Sequence, residues 1–227
     1  MSQIKERPIL FSAPMVRAIL DGRKTVTRRP VKGWQVPTED TTVAAGERHR
    51  WMAIAQRAPR YGFGVFGATE AECAKELEEF APCPYGRRGE RLWVREAWQA
   101  DAQVDSIAPR ELSNGEPIRY PADWDFRQTG CAMIRPGKIR PSIHMPRWAS
   151  RILLEITDVR VERLQDISRA DIRAEGLECP PELASDDVSP NYRDWYPAAW
   201  KELWNSTGGD WDANPWVWVV EFKRVQP

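Results

Sequence analysis

The sequence has few of the residues from which metal centres and disulfide frameworks are built. It contains two histidines and four cysteines in 227 residues, and no two cysteines follow the Cys-x-x-Cys spacing. A structural zinc site is therefore not expected, and the scattered cysteines are expected to be reduced thiols, as is usual for cytosolic proteins. We expect the protein to use neither a metal nor another cofactor.

Long apolar runs and an excess of one charge are also missing. A membrane-spanning helix needs about 20 apolar residues, and the N-terminus lacks the apolar core of a signal peptide, so we expect a cytoplasmic protein without membrane partners. Lys plus Arg equals Asp plus Glu, 33 each, which gives a net charge of zero. This balance argues against a broad basic coat for nucleic acid. It is compatible with a small anionic or nucleoside ligand held by a local cluster.

Tryptophan, by contrast, is abundant, with twelve residues in the chain. Each tryptophan buries a large area, so we expect most of them in the core. The alternative for any single tryptophan is a pocket in which a nucleic-acid base stacks on the ring.

Residues 12–30 carry the most informative pattern. Apolar residues at 15, 19 and 20 predict a short helix, with Ser12 as its N-cap and Pro14 in its first turn. Gly22 suits the position just after a helix, where a left-handed backbone is least costly. The β-branched residues that follow predict a strand from residue 25. A lysine, hydroxyls and guanidinium groups therefore converge where a helix passes into a strand.

The rest of the chain predicts an α+β fold in a single domain spanning residues 1–227. Insertions are expected at residues 31–85 and 99–130, the second of them irregular, and a loop at residues 180–190. The predicted helices are 69–80, 168–176 and 192–204. The predicted strands are 51–54, 91–98, 131–134, 151–163 and 215–223. Several short strands with helices between them favour a small closed or half-closed β-barrel.

Three segments in order along the chain resemble a known family. They are Gly-Arg-Lys-Thr-Val-Thr-Arg-Arg at residues 22–29, Gly-Glu-Arg-Leu-Trp-Val at 89–94, and Trp-Val-Val-Glu-Phe at 218–222. Together they resemble the ASCH domain, a relative of the PUA RNA-binding fold, and the helix ending at Gly176 falls in the same order. The resemblance covers about half of the chain. Longer ASCH proteins of this kind are similar to those carried by bacteriophages and prophages.

The resemblance implies a PUA-like β-barrel with flanking helices and a cleft near the first helix. Enzymes of the family are similar to N4-acetylcytidine amidohydrolase, which removes an acetyl group from the base amine. The matching catalytic triad here is Lys24, Thr27 and Glu175. Other members resemble RNA binders or nucleases, so the implied partner is a modified nucleoside or RNA. We expect the chain to act as a monomer.

The chemistry of the triad leaves two divisions of labour open. Thr27 supplies the hydroxyl, and either Lys24 or Glu175 accepts its proton. A neutral lysine near neutral pH needs a pKa lowered by roughly three units from its free value. In the other division Glu175 is the base, and a charged Lys24 stabilises the oxyanion.

Further residues are predicted to bind substrate because they are basic or lie in loops near the same cleft. They are Arg23, Arg29, Arg95, Glu96, Ser142 and His144. Two hypotheses follow from the sequence. One is an amidohydrolase for an acylated cytidine-type nucleoside. The alternative is a PUA-like RNA-binding or nucleotide-binding module, or a ribonuclease, without amidase activity.

Overall fold

The computed structural model describes residues 4–56, 62–128, 130–180 and 190–226. Most of the loop predicted at residues 180–190 therefore lies outside the described residues. The chain divides into two compact units. The first unit comprises residues 1–25, 89–156 and 222–227, and the second comprises residues 26–88 and 157–221.

The described residues form helices and strands in an α+β arrangement, as predicted. The helices are α1 (Ala13–Leu20), α2 (Glu70–Phe80), α3 (Arg169–Ala174) and α4 (Pro190–Ser206). The strands are β1 (Glu6–Leu10), β2 (Val26–Pro30), β3 (Thr38–Glu39), β4 (Trp51–Gln56), β5 (Phe63–Gly67), β6 (Arg91–Arg95), β7 (Ile118–Tyr120), β8 (Asp125–Arg127), β9 (Leu153–Arg163) and β10 (Trp216–Val225).

The strands form three separate sheets. The largest has the order β1-β6-β9-β10-β2, with β1 parallel to β6 and the β6–β9 and β10–β2 pairs antiparallel. Strands β3, β4 and β5 form a second sheet, and β7 and β8 a third. Among the described strands β1 and β2 are the two edges of the largest sheet. Of the two expected forms, the closed barrel is therefore absent from the described pairing, because the two edge strands are not paired with each other.

The first unit is organised around β6 and a separate apolar cluster. β6 lies between β1 and β9 and presents three consecutive buried residues. The buried cluster consists of Trp98, Ala100, Leu112, Ile118, Tyr120, Met145 and Ala149. Two of these residues belong to β7, whose hairpin with β8 lies inside the segment predicted to be irregular. Residues 99–130 are therefore not irregular throughout, and they share this core with Trp98, Met145 and Ala149.

The second unit contains most of the aromatic packing. Helices α3 and α4 pack with β2 and β10 in a cluster that includes the buried rings of Tyr196, Trp200 and Trp204. Helix α2 lies on the three-stranded sheet, where Ala53 and Ala55 of β4 are buried. Six of the twelve tryptophans are buried, which is half of them rather than the expected majority. They are Trp93, Trp98, Trp200, Trp204, Trp216 and Trp218.

Side chains cap the first turns of α2 and α3, whereas Ser12, at the N-cap of α1, makes no side-chain capping hydrogen bond. The Thr69 side chain accepts a hydrogen bond from the Glu72 amide, and Ser168 accepts one from the Asp171 amide, at 3.2 and 3.1 Å. The strand predicted at residues 131–134 is wrong. There the Asp101 carboxylate accepts hydrogen bonds from the backbone amides of Ile134 and Arg135, so side-chain contacts replace strand pairing.

Within the described ranges, no helix combines the length and the apolar character that crossing a membrane requires.

Candidate active site

Lys24 lies just beyond α1, in the first unit. Gly22 ends the helix with a φ of +76°, a conformation that glycine adopts at little cost. The amides of Arg23 and Lys24 both donate to the Ala18 carbonyl, at 2.8 and 2.9 Å, which fixes the path of the chain. The Lys24 ammonium lies 5.6 Å from the centre of the Phe11 ring. A ring face attracts a cation, so this contact is a cation–π interaction.

All three residues of the predicted triad are buried. The exposed fractions are 2% for Lys24, 3% for Thr27 and 4% for Glu175. Burying polar and charged groups costs free energy unless hydrogen bonds or opposite charges compensate. The burial of these three side chains therefore indicates a structural or a chemical role.

The register of β2 separates its side chains into two sets. Residues directly opposite each other in an antiparallel pair share a face, and successive residues alternate. Arg28 pairs with Val219 of β10, whereas Thr27 pairs with Val220 and Arg29 with Trp218. Arg28 therefore lies on one face, and Thr27 and Arg29 on the other.

Arg28 projects into a group of carboxylates in the second unit. Its Nε and Nη2 donate to Glu162 Oε1 at 2.9 and 2.6 Å. Nη2 also donates to Asp171 at 3.0 Å, and Nη1 lies 3.4 Å from Glu175 Oε1. Glu175 is the C-cap of α3, where the helix dipole disfavours a carboxylate. Arg28 provides a compensating positive charge at that position.

A second arginine, Arg160, extends the group. It donates to Glu162 at 3.2 Å and to Asp171 at 3.4 Å, and it also contacts Glu221. Burial alone would lower the pKa of Arg160, but the hydrogen bonds to Glu221 and Glu162 outweigh it and raise that pKa. We call Arg28, Arg160, Glu162, Asp171, Glu175 and Glu221 the Arg28 cluster.

The Arg28 cluster was not predicted from the sequence. One signal was present, because Asp171 and Glu175 are four residues apart and therefore share a face of α3. Their partner, Arg28, was included in the basic run, but its role as the ion-pair centre depends on the register of β2. That register is a property of the folded sheet.

The opposite face of β2, which carries Thr27 and Arg29, is associated with a cavity. Trp218, the partner of Arg29, lines a cavity of about 220 Å³ in the second unit. Its walls also include Arg87 and Arg88 and the acidic residues Glu78, Glu79 and Asp158, so the lining carries charges of both signs. Thr27 and Arg29 are not among the lining residues. Burial raises the pKa of the nearby Tyr85, and the positive charge of Arg29 opposes that shift.

Two of the predicted substrate-binding residues line one pocket in the first unit. Arg95 and His144 both line a pocket of about 370 Å³, together with Arg110, which was not predicted. Ser142 belongs to the same single 3₁₀ turn as His144, at Ser142–His144, but is not among the residues that line this pocket.

Arg23 and Glu96 have other neighbours. Arg23 donates to Asp21 at 2.8 Å on the exposed surface. The buried Glu96 accepts from Arg151 at 2.9 and 3.0 Å, and Arg151 also binds Asp123. Burial raises the pKa of Glu96, although the hydrogen bonds from Arg151 act in the opposite direction. The carboxylate of Glu96 is therefore ion-paired with Arg151 within the first unit.

Within the described residues, no group of three or more histidine, cysteine, aspartate or glutamate side chains is arranged to hold a metal ion. Comparison with known proteins gives no match to a family model, a curated protein or a solved structure.

Proposed function

We propose that this protein is an ASCH-type, PUA-like amidohydrolase that removes an acyl group from a modified cytidine-type nucleoside such as N4-acetylcytidine. The observation that carries the proposal is the burial of the three side chains that match the family triad, Lys24, Thr27 and Glu175. Together with the Gly-Arg-Lys-Thr run from which two of them come, this burial supports a chemical role.

In the proposed reaction the Thr27 hydroxyl attacks the carbonyl carbon of the acyl group. Glu175 accepts the hydroxyl proton, and Lys24 stabilises the negative charge that develops on the carbonyl oxygen. The bond between the carbonyl carbon and the base nitrogen then breaks, and the nitrogen leaves as the cytosine amine after receiving that proton. Water finally hydrolyses the ester on Thr27 and releases the acid.

This division of labour sets a geometric condition. Thr27 and Arg28 lie on opposite faces of β2, and Arg28 contacts Glu175. For Glu175 to accept the Thr27 proton, its carboxylate must therefore leave Arg28 and reach the other face of β2, which is an edge strand of the largest sheet in the described residues.

The experiment that tests this proposal is hydrolysis of N4-acetylcytidine, followed by chromatographic detection of cytidine. The reaction is expected with the unmodified chain and is expected to be lost when Lys24 is replaced by methionine. No release of cytidine by the folded wild-type protein would contradict the proposal.

The alternative function is an RNA-binding module, and a separate observation favours it. On the β7–β8 hairpin the guanidinium of Arg119 lies 4.5 Å from the ring of Trp124 and 5.3 Å from that of Phe126. These rings are 54% and 46% exposed. Exposed rings beside a guanidinium form a surface on which single-stranded bases can stack.

A further inference from the structure

The pocket that contains Arg95 and His144 has an unusual lining. Three of its lining residues are basic, and the others are apolar. They are Arg95, Arg110, His144, Ala108, Pro109, Met145 and Pro146. None of these described lining residues is acidic, so within the lining no negative charge neutralises the basic groups.

Arg95 is held in place without a carboxylate partner. Its Nε donates to the Met145 carbonyl at 3.1 Å, and its guanidinium lies 4.8 Å from the Trp93 ring. Among the described residues no carboxylate forms a salt bridge with Arg95, whereas the nearby Arg147 is paired with Glu6 at 2.8 Å. The single Nε contact leaves the two terminal nitrogens of Arg95 available. These nitrogens are donors that can bind an oxyanion in a bidentate manner.

His144 and Arg110 add hydrogen-bond donors, each from a short 3₁₀ turn. His144 ends a 3₁₀ turn that follows Pro141, and its ring carries an N–H donor in either charge state. Arg110 is largely exposed, and its salt bridge is a 3.5 Å contact with the adjacent Glu111. An exposed pair of this kind contributes little, so Arg110 can turn toward a ligand at small cost.

We infer that this pocket binds the phosphate group of a nucleotide, with Arg95 as the fixed contact and Arg110 and His144 as additional donors. A phosphate offers several oxygens to donors from different directions, which suits two guanidinium groups and an imidazole. The apolar walls at Pro109, Met145 and Pro146 suit the sugar or base attached to it. This inference rests on the proposed function for the nucleoside part of the ligand. It adds that the substrate is a nucleotide or RNA.

The test measures binding of cytidine 5′-monophosphate, cytidine and O-phosphoserine by isothermal titration calorimetry. We expect the nucleotide to bind at least about tenfold more tightly than either of the others, with an affinity that falls as salt is added. Equal binding of nucleotide and cytidine, or no binding of the nucleotide, would overturn the inference. Binding of O-phosphoserine as tight as that of the nucleotide would overturn the assignment to a nucleotide.

Two variants localise the effect. Arg95→Gln is expected to weaken nucleotide binding by about tenfold or more. Arg110→Gln is expected to weaken it severalfold, and because this residue is exposed its substitution leaves folding intact. Arg147→Gln is the matched arginine control and should bind like the wild type. Wild-type affinity in both Arg95→Gln and Arg110→Gln would contradict the inference.

This measurement does not depend on catalysis, because none of the three ligands carries an acyl group. A protein that binds the nucleotide but fails to hydrolyse N4-acetylcytidine would contradict only the proposed function. A protein that hydrolyses the nucleoside but does not bind the nucleotide would contradict only the phosphate site.

Discussion

Arg28 of β2 and Glu175 at the end of α3 are 147 residues apart in the chain and lie 3.4 Å apart between Nη1 and Oε1. The same guanidinium contacts Glu162 and Asp171. One buried cation is therefore shared by three carboxylates and joins α3 to β2. This arrangement gives a first prediction about stability.

Replacing Arg28 with methionine should destabilise the protein strongly. The methionine keeps much of the side-chain volume but leaves three carboxylates without this partner, and loss of one member of a buried ion pair costs about 3–5 kcal/mol. The free energy of unfolding is measured by urea denaturation at neutral pH. Arg88→Met, at an exposed arginine, is the control and should change it by less than about 0.5 kcal/mol. Equal stability of the two variants would show that the Arg28 cluster does not support the fold.

The buried phenol of Tyr120 predicts a loss of stability in alkaline solution. Its hydroxyl donates to the Ala149 carbonyl at 2.8 Å, and burial raises its pKa to about 12. In the unfolded chain a tyrosine has a pKa of about 10. Between these values the unfolded chain has released a proton that the folded protein still holds. The free energy of unfolding therefore falls as the pH rises through this range.

Tyr120→Phe removes the titrating group, so its stability should fall less steeply above about pH 10. At neutral pH the same variant should lose about 1 kcal/mol because the hydrogen bond is gone. Urea denaturation at about pH 8 and about pH 10.5 measures both effects. Parallel losses of stability in the two proteins between these pH values would contradict the assignment.

The four cysteines should differ sharply in reactivity. Cys131 is exposed, whereas Cys73, Cys83 and Cys179 are buried. Burial raises the pKa of the Cys73 thiol to about 11, which leaves little reactive thiolate at neutral pH. Iodoacetamide should modify Cys131 first, as measured by mass spectrometry of peptides. The Cys131→Ser variant should lose the fast phase. Fast labelling of Cys73 in the native protein would be incompatible with the packing of α2.

The β7–β8 hairpin separates the two candidate functions. If the chain is an RNA-binding module, Trp124→Ala should weaken binding of a short oligouridine by about tenfold or more, because stacking on one ring contributes about 1–3 kcal/mol. Fluorescence anisotropy of a labelled oligonucleotide measures this change. Phe80→Ala, at an exposed aromatic residue of α2, is the matched control. Equal affinities of these two variants would remove the hairpin from any RNA-binding surface.

Much of the secondary structure could be predicted from the sequence because local signals agreed. Apolar periodicity and capping residues located α1, α2 and α3, and alternation located β6 and β9. The β7–β8 hairpin was missed because its turn lacks the usual Asn-Gly or Asp-Gly signal and instead places Trp124 at a φ of +64°. The open edges of the main sheet were missed because strand order depends on long-range pairing.

The candidate site was likewise predicted only in part. The basic residues of the 22–29 run and Glu175 were identified from local motifs and a family resemblance. The ion pairing of Arg28 was not, since it depends on which face of β2 each side chain occupies. Similarly, Arg95 and His144 were candidates in the sequence, but only the fold adds Arg110 to their pocket.

The most direct test of the account compares the rate of N4-acetylcytidine hydrolysis in three variants with three matched controls. The variants are Lys24→Met, Thr27→Val and Glu175→Gln. The controls change exposed residues of the same type and are Lys32→Met, Thr38→Val and Glu178→Gln. Circular dichroism of each protein verifies that it is folded.

We predict that each of the three variants lowers kcat by about a hundredfold or more, since the loss of a positioned acid, base or oxyanion contact has effects of that size. The controls should remain within about threefold of the wild type, because exposed positions away from the site have small effects. Folded variants at Lys24, Thr27 and Glu175 that hydrolyse N4-acetylcytidine as fast as their controls would contradict the central claim.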